Sequence, residues 1–139
     1  MNTRRVIQTV GIIALTGGIL FAATKREEQA QKSAEQWLAL VDAGKYAQAW
    51  QATAPYFQRL IPKDKWEVEG KRSRESFGNL ILRKLKSAQY TKSVPGAPDG
   101  EYVILRYDTS FTNKKTAVET ITPMRDKDGQ WKISGYFIK

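Results

Sequence analysis

Glu101-Tyr102-Val103-Ile104-Leu105-Arg106-Tyr107-Asp108-Thr109-Ser110-Phe111-Thr112 is the stretch whose reading decides the fold. Val103, Leu105, Tyr107 and Phe111 alternate there with Tyr102, Arg106, Asp108 and Ser110. Successive side chains of a strand point to opposite faces, so this pattern gives one apolar face and one polar face. On either side, Leu80 to Val94, Lys115 to Arg125 and Gln130 to Ile138 are equally rich in β-branched and aromatic residues. Turn-forming segments separate the four runs: Pro95 to Gly100, Asn113-Lys114, and Asp126 to Gly129. Four strands with such short connections form an antiparallel meander. In the last of them Trp131, Ile133 and Phe137 are expected to alternate with Lys132, Ser134 and Tyr136.

Upstream the period changes from two to that of a helix. From Lys25 to Ala43 the residues Ala30, Ala34, Trp37, Leu38 and Val41 recur on one helical face, and Gly44 is placed to end the helix. Lys45 to Ala54 reads as a second helix with Tyr46, Ala49 and Trp50 on one side, limited by Pro55. Tyr56, Phe57, Leu60 and Ile61 form an apolar patch before Pro62, which opens a third helix carrying Trp66, Gly70, Ser73 and Phe77 and ending near Gly78-Asn79. Helices first and strands afterwards is an α+β order, with the N-terminal helices packed on one face of a curved four-stranded antiparallel sheet.

The N-terminus has a separate task. Arg4 and Arg5 precede an uncharged, mostly apolar run from Val6 to Thr24, the layout of a secretory signal or a membrane anchor. The domain division is therefore residues 1–24 as a signal peptide or N-terminal membrane anchor, and residues 25–139 as a single α+β domain. A cleaved peptide, a retained anchor contacting the membrane through residues 6–23, and a helix of the domain itself all remain open. The first two place the domain in the periplasm or on the extracytoplasmic face of the inner membrane.

The sequence carries 23 Lys and Arg against 14 Asp and Glu, a net charge of +9. The basic residues are dispersed among acidic ones, and an exported domain rarely meets nucleic acid, so none is expected as a partner. There is no histidine and no cysteine. Disulfides, cysteine nucleophiles and histidine acid–base chemistry are thereby excluded. No metal-ligand spacing or phosphate-cradling loop is present, and no metal or cofactor is expected.

Trp37 to Tyr46 with Trp50, the turn Pro95-Gly96-Ala97-Pro98-Asp99-Gly100-Glu101-Tyr102, Glu119, and the ending Gly129-Gln130-Trp131-Lys132-Ile133-Ser134-Gly135-Tyr136 resemble the bacterial domain-of-unknown-function family 4019. The resemblance runs from about Ala34 to the C-terminus. It implies a small exported bacterial domain and brings no reaction, substrate or cofactor. The element order is also similar to the cystatin-like or nuclear-transport-factor-2-like cone, in which helices cover a bent sheet and leave a pocket. Enzymes of that shape often use His-Asp pairs, which a chain without histidine does not have.

No residue is named as catalytic. Glu119 shares a strand side with Ala117 and Ile121, where a bent sheet turns it inward, and a carboxylate in an apolar pocket is a candidate acid or base. The competing reading pairs it across the sheet with Arg106 or a lysine, or leaves it facing water. Tyr102 and Tyr136 alternate away from the core stripe, so the candidate ligand-binding set is Glu119, Arg106, Tyr102 and Tyr136. Lys84, Lys86 and Lys92 are expected on one face of the first strand, as a surface for anionic headgroups or as the protection of an edge strand. The leading functional expectation is a non-enzymatic cell-envelope module that binds a small ligand or an envelope protein. The alternatives are a carboxylate-dependent enzyme centred on Glu119 and a membrane-tethered accessory domain.

Overall fold

A computed structural model describes residues 17–139, with side chains described from residue 25 onward. The element order is α1 (Gly17–Asp42), α2 (Tyr46–Gln51), α3 (Pro55–Leu60), α4 (Lys63–Phe77), β1 (Leu80–Thr91), β2 (Tyr102–Phe111), β3 (Lys114–Arg125) and β4 (Trp131–Ile138). Residues 1–16 lie outside the described residues, and with them most of the segment read as a signal or anchor. Among the described residues no helix is long and apolar enough to cross a membrane.

The strands form one antiparallel sheet in the order β1-β2-β3-β4, the meander expected from the turns. Ala30, Ala34, Trp37, Leu38 and Val41 of α1 are buried with Val103, Leu105, Tyr107, Ile121 and Ile133 of the sheet in one core. Fully burying a side chain such as Leu105 contributes about 1.5–3 kcal/mol, so this shared face holds the two layers together. Gly44 ends α1 as expected: at φ +74° it lets the amides of Gly44 and Lys45 return to the carbonyls of Val41 and Leu40, at 3.0 and 2.8 Å.

Three tryptophans stitch the helices to one another. Indole N–H groups donate from Trp37 to the Ala49 carbonyl (2.8 Å), from Trp50 to Ile61 (2.8 Å) and from Trp66 to Tyr46 (2.9 Å). Each ring thus buries its apolar body while its polar atom is satisfied.

The helical reading is corrected at two joints. The second helix ends at Gln51 rather than Ala54, because Thr53 bridges to Ile133 and the Ala54 amide donates to the Ile133 carbonyl at 2.8 Å. The apolar patch at Tyr56–Ile61 is itself helical: Pro55 starts α3 at the position where its missing N–H costs nothing. Pro62 stands just before α4, as the cap to its first turn.

The sheet is bent by irregularities that periodicity does not reveal. In β1 the pairing passes from Leu85 opposite Tyr107 to Ser87 opposite Arg106, leaving Lys86 as an extra residue. In β4 it passes from Ile133 opposite Pro123 to Gly135 opposite Thr122, leaving Ser134 extra. The Ser134 hydroxyl donates to the Thr122 carbonyl at 2.7 Å. Pro123, which has no amide to offer the ladder, sits at this break, where a proline is tolerated. Such bulges increase the local twist and reverse the alternation beyond them. The reversal corrects the expectation for the last strand: Tyr136 faces the helices, and Phe137 faces away, 58% exposed.

Candidate functional site

Glu119 stands on the inner face of β3, opposite Tyr107 on β2 and Ile138 on β4. Its side chain is 0% exposed, so its carboxylate survives there only with partners. Oε1 accepts from Arg83 Nε and from Thr109 Oγ1, both at 2.7 Å. Oε2 accepts from Arg83 Nη2 at 3.1 Å and from the Tyr136 hydroxyl.

Arg83 is placed for this by its strand. It lies opposite Thr109 in β1 and points with Leu85 toward the helices. Its other edge meets Asp42 at the end of α1, Nη1 to Oδ2 at 2.7 Å and Nη2 to Oδ1 at 3.0 Å. A guanidinium that is bidentate to two carboxylates uses its planar fork fully. Asp42 Oδ1 accepts once more, from Arg74 Nη2 of α4 at 2.8 Å. Two carboxylates and two guanidiniums therefore alternate along one chain, and they tie α1, α4, β1 and β3 together.

Arg74 is the far end of this chain and only 6% exposed. Its guanidinium carbon lies 4.9 Å from the Phe111 ring centroid. Among the described residues its Nε and Nη1 have no hydrogen-bond partner.

The electrostatics follow from burial and pairing. Burial pushes the Asp42 carboxyl up, but hydrogen bonds and charge from Arg83 and Arg74 outweigh it and hold the carboxyl below its usual range. Burial works against the Arg83 charge as well, and the two carboxylates reverse that, so its pKa is raised. Burial and the neighbouring Glu119 charge push the Tyr136 phenol well above its usual value. The Tyr107 phenol is also raised, by burial and by Glu35.

A cleft of about 300 Å³ opens beside this chain between α4 and β4, lined by Trp66, Gly70, Ser73, Arg74, Tyr136 and Ile138 among others. Glu119 is not among its lining residues. A second, wider concavity, about 850 Å³, lies elsewhere, between α1 and the turn leading into β4, and no member of the charge chain lines it. Among the described residues no group of carboxylates is placed to hold a metal ion.

Of the residues singled out from the sequence, Glu119 and Tyr136 meet. Arg106 does not join them. It lies opposite Thr120 on the other face of the sheet and is exposed, so the expected Arg106–Glu119 pairing is replaced by Arg83. Tyr102 is buried, with its hydroxyl donating to the Pro98 carbonyl, and it serves the 95–100 turn rather than the cleft. Lys84 and Lys86 are exposed, and Lys86 faces Asp108 at 3.9 Å. Lys92 lies past the end of β1, and the extra residue at Lys86 shifts the alternation before it, so the three lysines do not form one row.

Sequence reasoning missed Arg83, Asp42, Arg74 and Thr109. A signal for Arg74 was present: it follows Trp66 and Gly70 at intervals of four, on the buried side of α4.

A family model described as Protein of unknown function (DUF4019) matches residues 33–136. Among solved structures, the chain is similar to a protein from Catenulispora acidiphila at 10% identity and TM-score 0.55, covering 86% of this chain and 94% of that one. It is also similar to a putative ketosteroid isomerase from Shewanella frigidimarina at 17% identity and TM-score 0.53, covering 80% of this chain and 94% of that one. At such identities the likeness shows the fold, the cone of helices on a bent sheet. No curated protein sequence matches the chain.

Proposed function

The chain belongs to the DUF4019 family of proteins of unknown function, and from that premise we propose that it is a non-enzymatic domain of the cell envelope that binds a small ligand between α4 and β4. The observation that carries this reading is the cleft itself. At about 300 Å³ it reaches the lower range of ligand pockets, and its apolar wall with a few polar groups is the usual lining of one. The enzyme reading has no comparable support. A general base needs a lone pair aimed at its substrate, and both Glu119 oxygens are filled by Arg83, Thr109 and Tyr136. Export rests on Arg4, Arg5 and the apolar run after them.

Native mass spectrometry of the full chain, expressed in a Gram-negative bacterium and recovered from the periplasm, tests both parts. The expected spectrum shows a small molecule retained by the wild type and lost from Ser73→Trp, a change at the exposed rim of the cleft. Protein confined to the cytoplasm overturns export. A bare wild-type monomer overturns the small-ligand reading and leaves an envelope protein as the partner to seek by crosslinking.

A further inference from the structure

We propose that the ligand of the α4–β4 cleft is a small monocarboxylate with an apolar body, recognised by Arg74; this rests on the cleft reading above and adds the chemical class. Within the charge chain the two carboxylates are shared unequally. Arg83 takes Glu119 through two hydrogen bonds and Asp42 through two more. Arg74 shares a single oxygen of Asp42, and its Nε and Nη1 are left with no partner in a setting shielded from water. Buried donors are satisfied in nearly all folded proteins, so a cation left half-paired beside a cleft calls for an acceptor.

The cleft decides what kind of acceptor. Trp66, Gly70 and Ile138 give it an apolar wall, in which a Cβ at Gly70 would touch the Trp66 ring at 3.4 Å. The Trp66 indole, only 7% exposed, contributes the deep end of that wall. A carboxylate brings one negative charge in a planar group that matches a guanidinium. A phosphate dianion brings a second charge, for which the apolar wall has no partner. Glu69 also lines the cleft, but it is exposed at the rim, where water screens it from the ligand's charge. Arg74 presents its free nitrogens to the carboxylate by turning about its terminal torsions. The one hydrogen bond that must adjust is Nη2 to Asp42, and the Phe111 ring is its other support.

The test is isothermal titration of the full chain with octanoate and with octanamide, its neutral counterpart of the same shape. Wild type is expected to bind octanoate on the order of tenfold more tightly, the worth of one charge-assisted contact. Arg74→Gln should bring octanoate down to the octanamide level and leave octanamide unchanged, while Arg74→Lys keeps part of the preference. The wild-type comparison stands even where Arg74→Gln fails to fold. Equal affinities in wild type, both abolished by Ser73→Trp, overturn the carboxylate assignment and leave the cleft reading intact. A preference that survives Arg74→Gln removes Arg74 from recognition. Binding of neither probe overturns the monocarboxylate proposal, and the native spectrum of wild type against Ser73→Trp then decides the small-ligand reading by itself.

Discussion

Glu119→Gln tests whether the buried charge chain holds the domain together. All four groups around this carboxylate donate to it: Arg83 through Nε and Nη2, Thr109 and Tyr136 through hydroxyls. The hydroxyls can rotate and accept from an amide. Arg83 cannot, because a guanidinium has no acceptor. Wherever the Gln amide nitrogen settles, it therefore faces an Arg83 N–H, either Nε across 2.7 Å or Nη2 across 3.1 Å. The substitution also leaves Arg83 with one compensating charge instead of two. Removing one partner of a buried pair costs about 3–5 kcal/mol. Asp42 still grips the other edge of Arg83, which places the expected loss at the lower end, about 3 kcal/mol.

For a domain of this size, about 4 °C of Tm is lost per kcal/mol, so the midpoint should fall by about 12 °C. Urea unfolding followed by tryptophan fluorescence reads the same quantity. With a slope of about 2 kcal/mol per molar, the transition should move down by about 1.5 M at unchanged slope. A loss below about 1 kcal/mol would refute the reasoning. It would mean that the desolvation of Glu119 and Arg83 cancels their attraction, so that the chain of charges does not hold the layers together.

Two further outcomes follow from the same site and a third from the outer face of β4. Asp42 has a carboxyl held below its ordinary 3.8, so it stabilises the fold above that pH, and the contribution is lost as pH falls through the lowered value. Urea midpoints measured between about pH 5 and pH 2 should therefore decline more steeply in wild type than in Asp42→Asn, and parallel curves would refute the assignment. Tyr136 has its phenol raised well above 10.0, so its stabilisation is complete below about pH 10 and is lost as pH rises beyond it. Tyr136→Phe should flatten the alkaline decline at a cost of about 1–2 kcal/mol at neutral pH, where one buried hydrogen bond to a charged group is removed. Phe137→Ala, at an exposed position, should cost about 0.5 kcal/mol or less; a thermal midpoint lowered as far as by a core truncation would place that ring inside.

How much of the molecule is legible in its sequence depends on what periodicity can carry. Alternation brought Glu119 to the inner face correctly, because β3 runs without a break from Ala117 through Ile121. Alternation failed for Tyr136, since an extra residue at Ser134 reverses the faces and leaves no trace in the apolar pattern. Pro123 was the available hint, as a residue that cannot donate to a ladder marks an edge or a break. The first helix and the turns were legible because they end on residues with a local reason, such as Gly44 with its positive φ. By contrast, α2 stops early where Thr53 pairs with Ile133, a tertiary contact that periodicity does not carry. The charge chain was not, because its members come from α1, α4, β1 and β3, and only tertiary packing makes them neighbours. Arg74 shows the middle case. Its spacing from Trp66 and Gly70 already sets a cation on the buried stripe of α4, and a buried cation requires an acidic partner. That requirement narrows the search to acids at the ends of neighbouring elements, and Asp42, at the end of α1, is one of them.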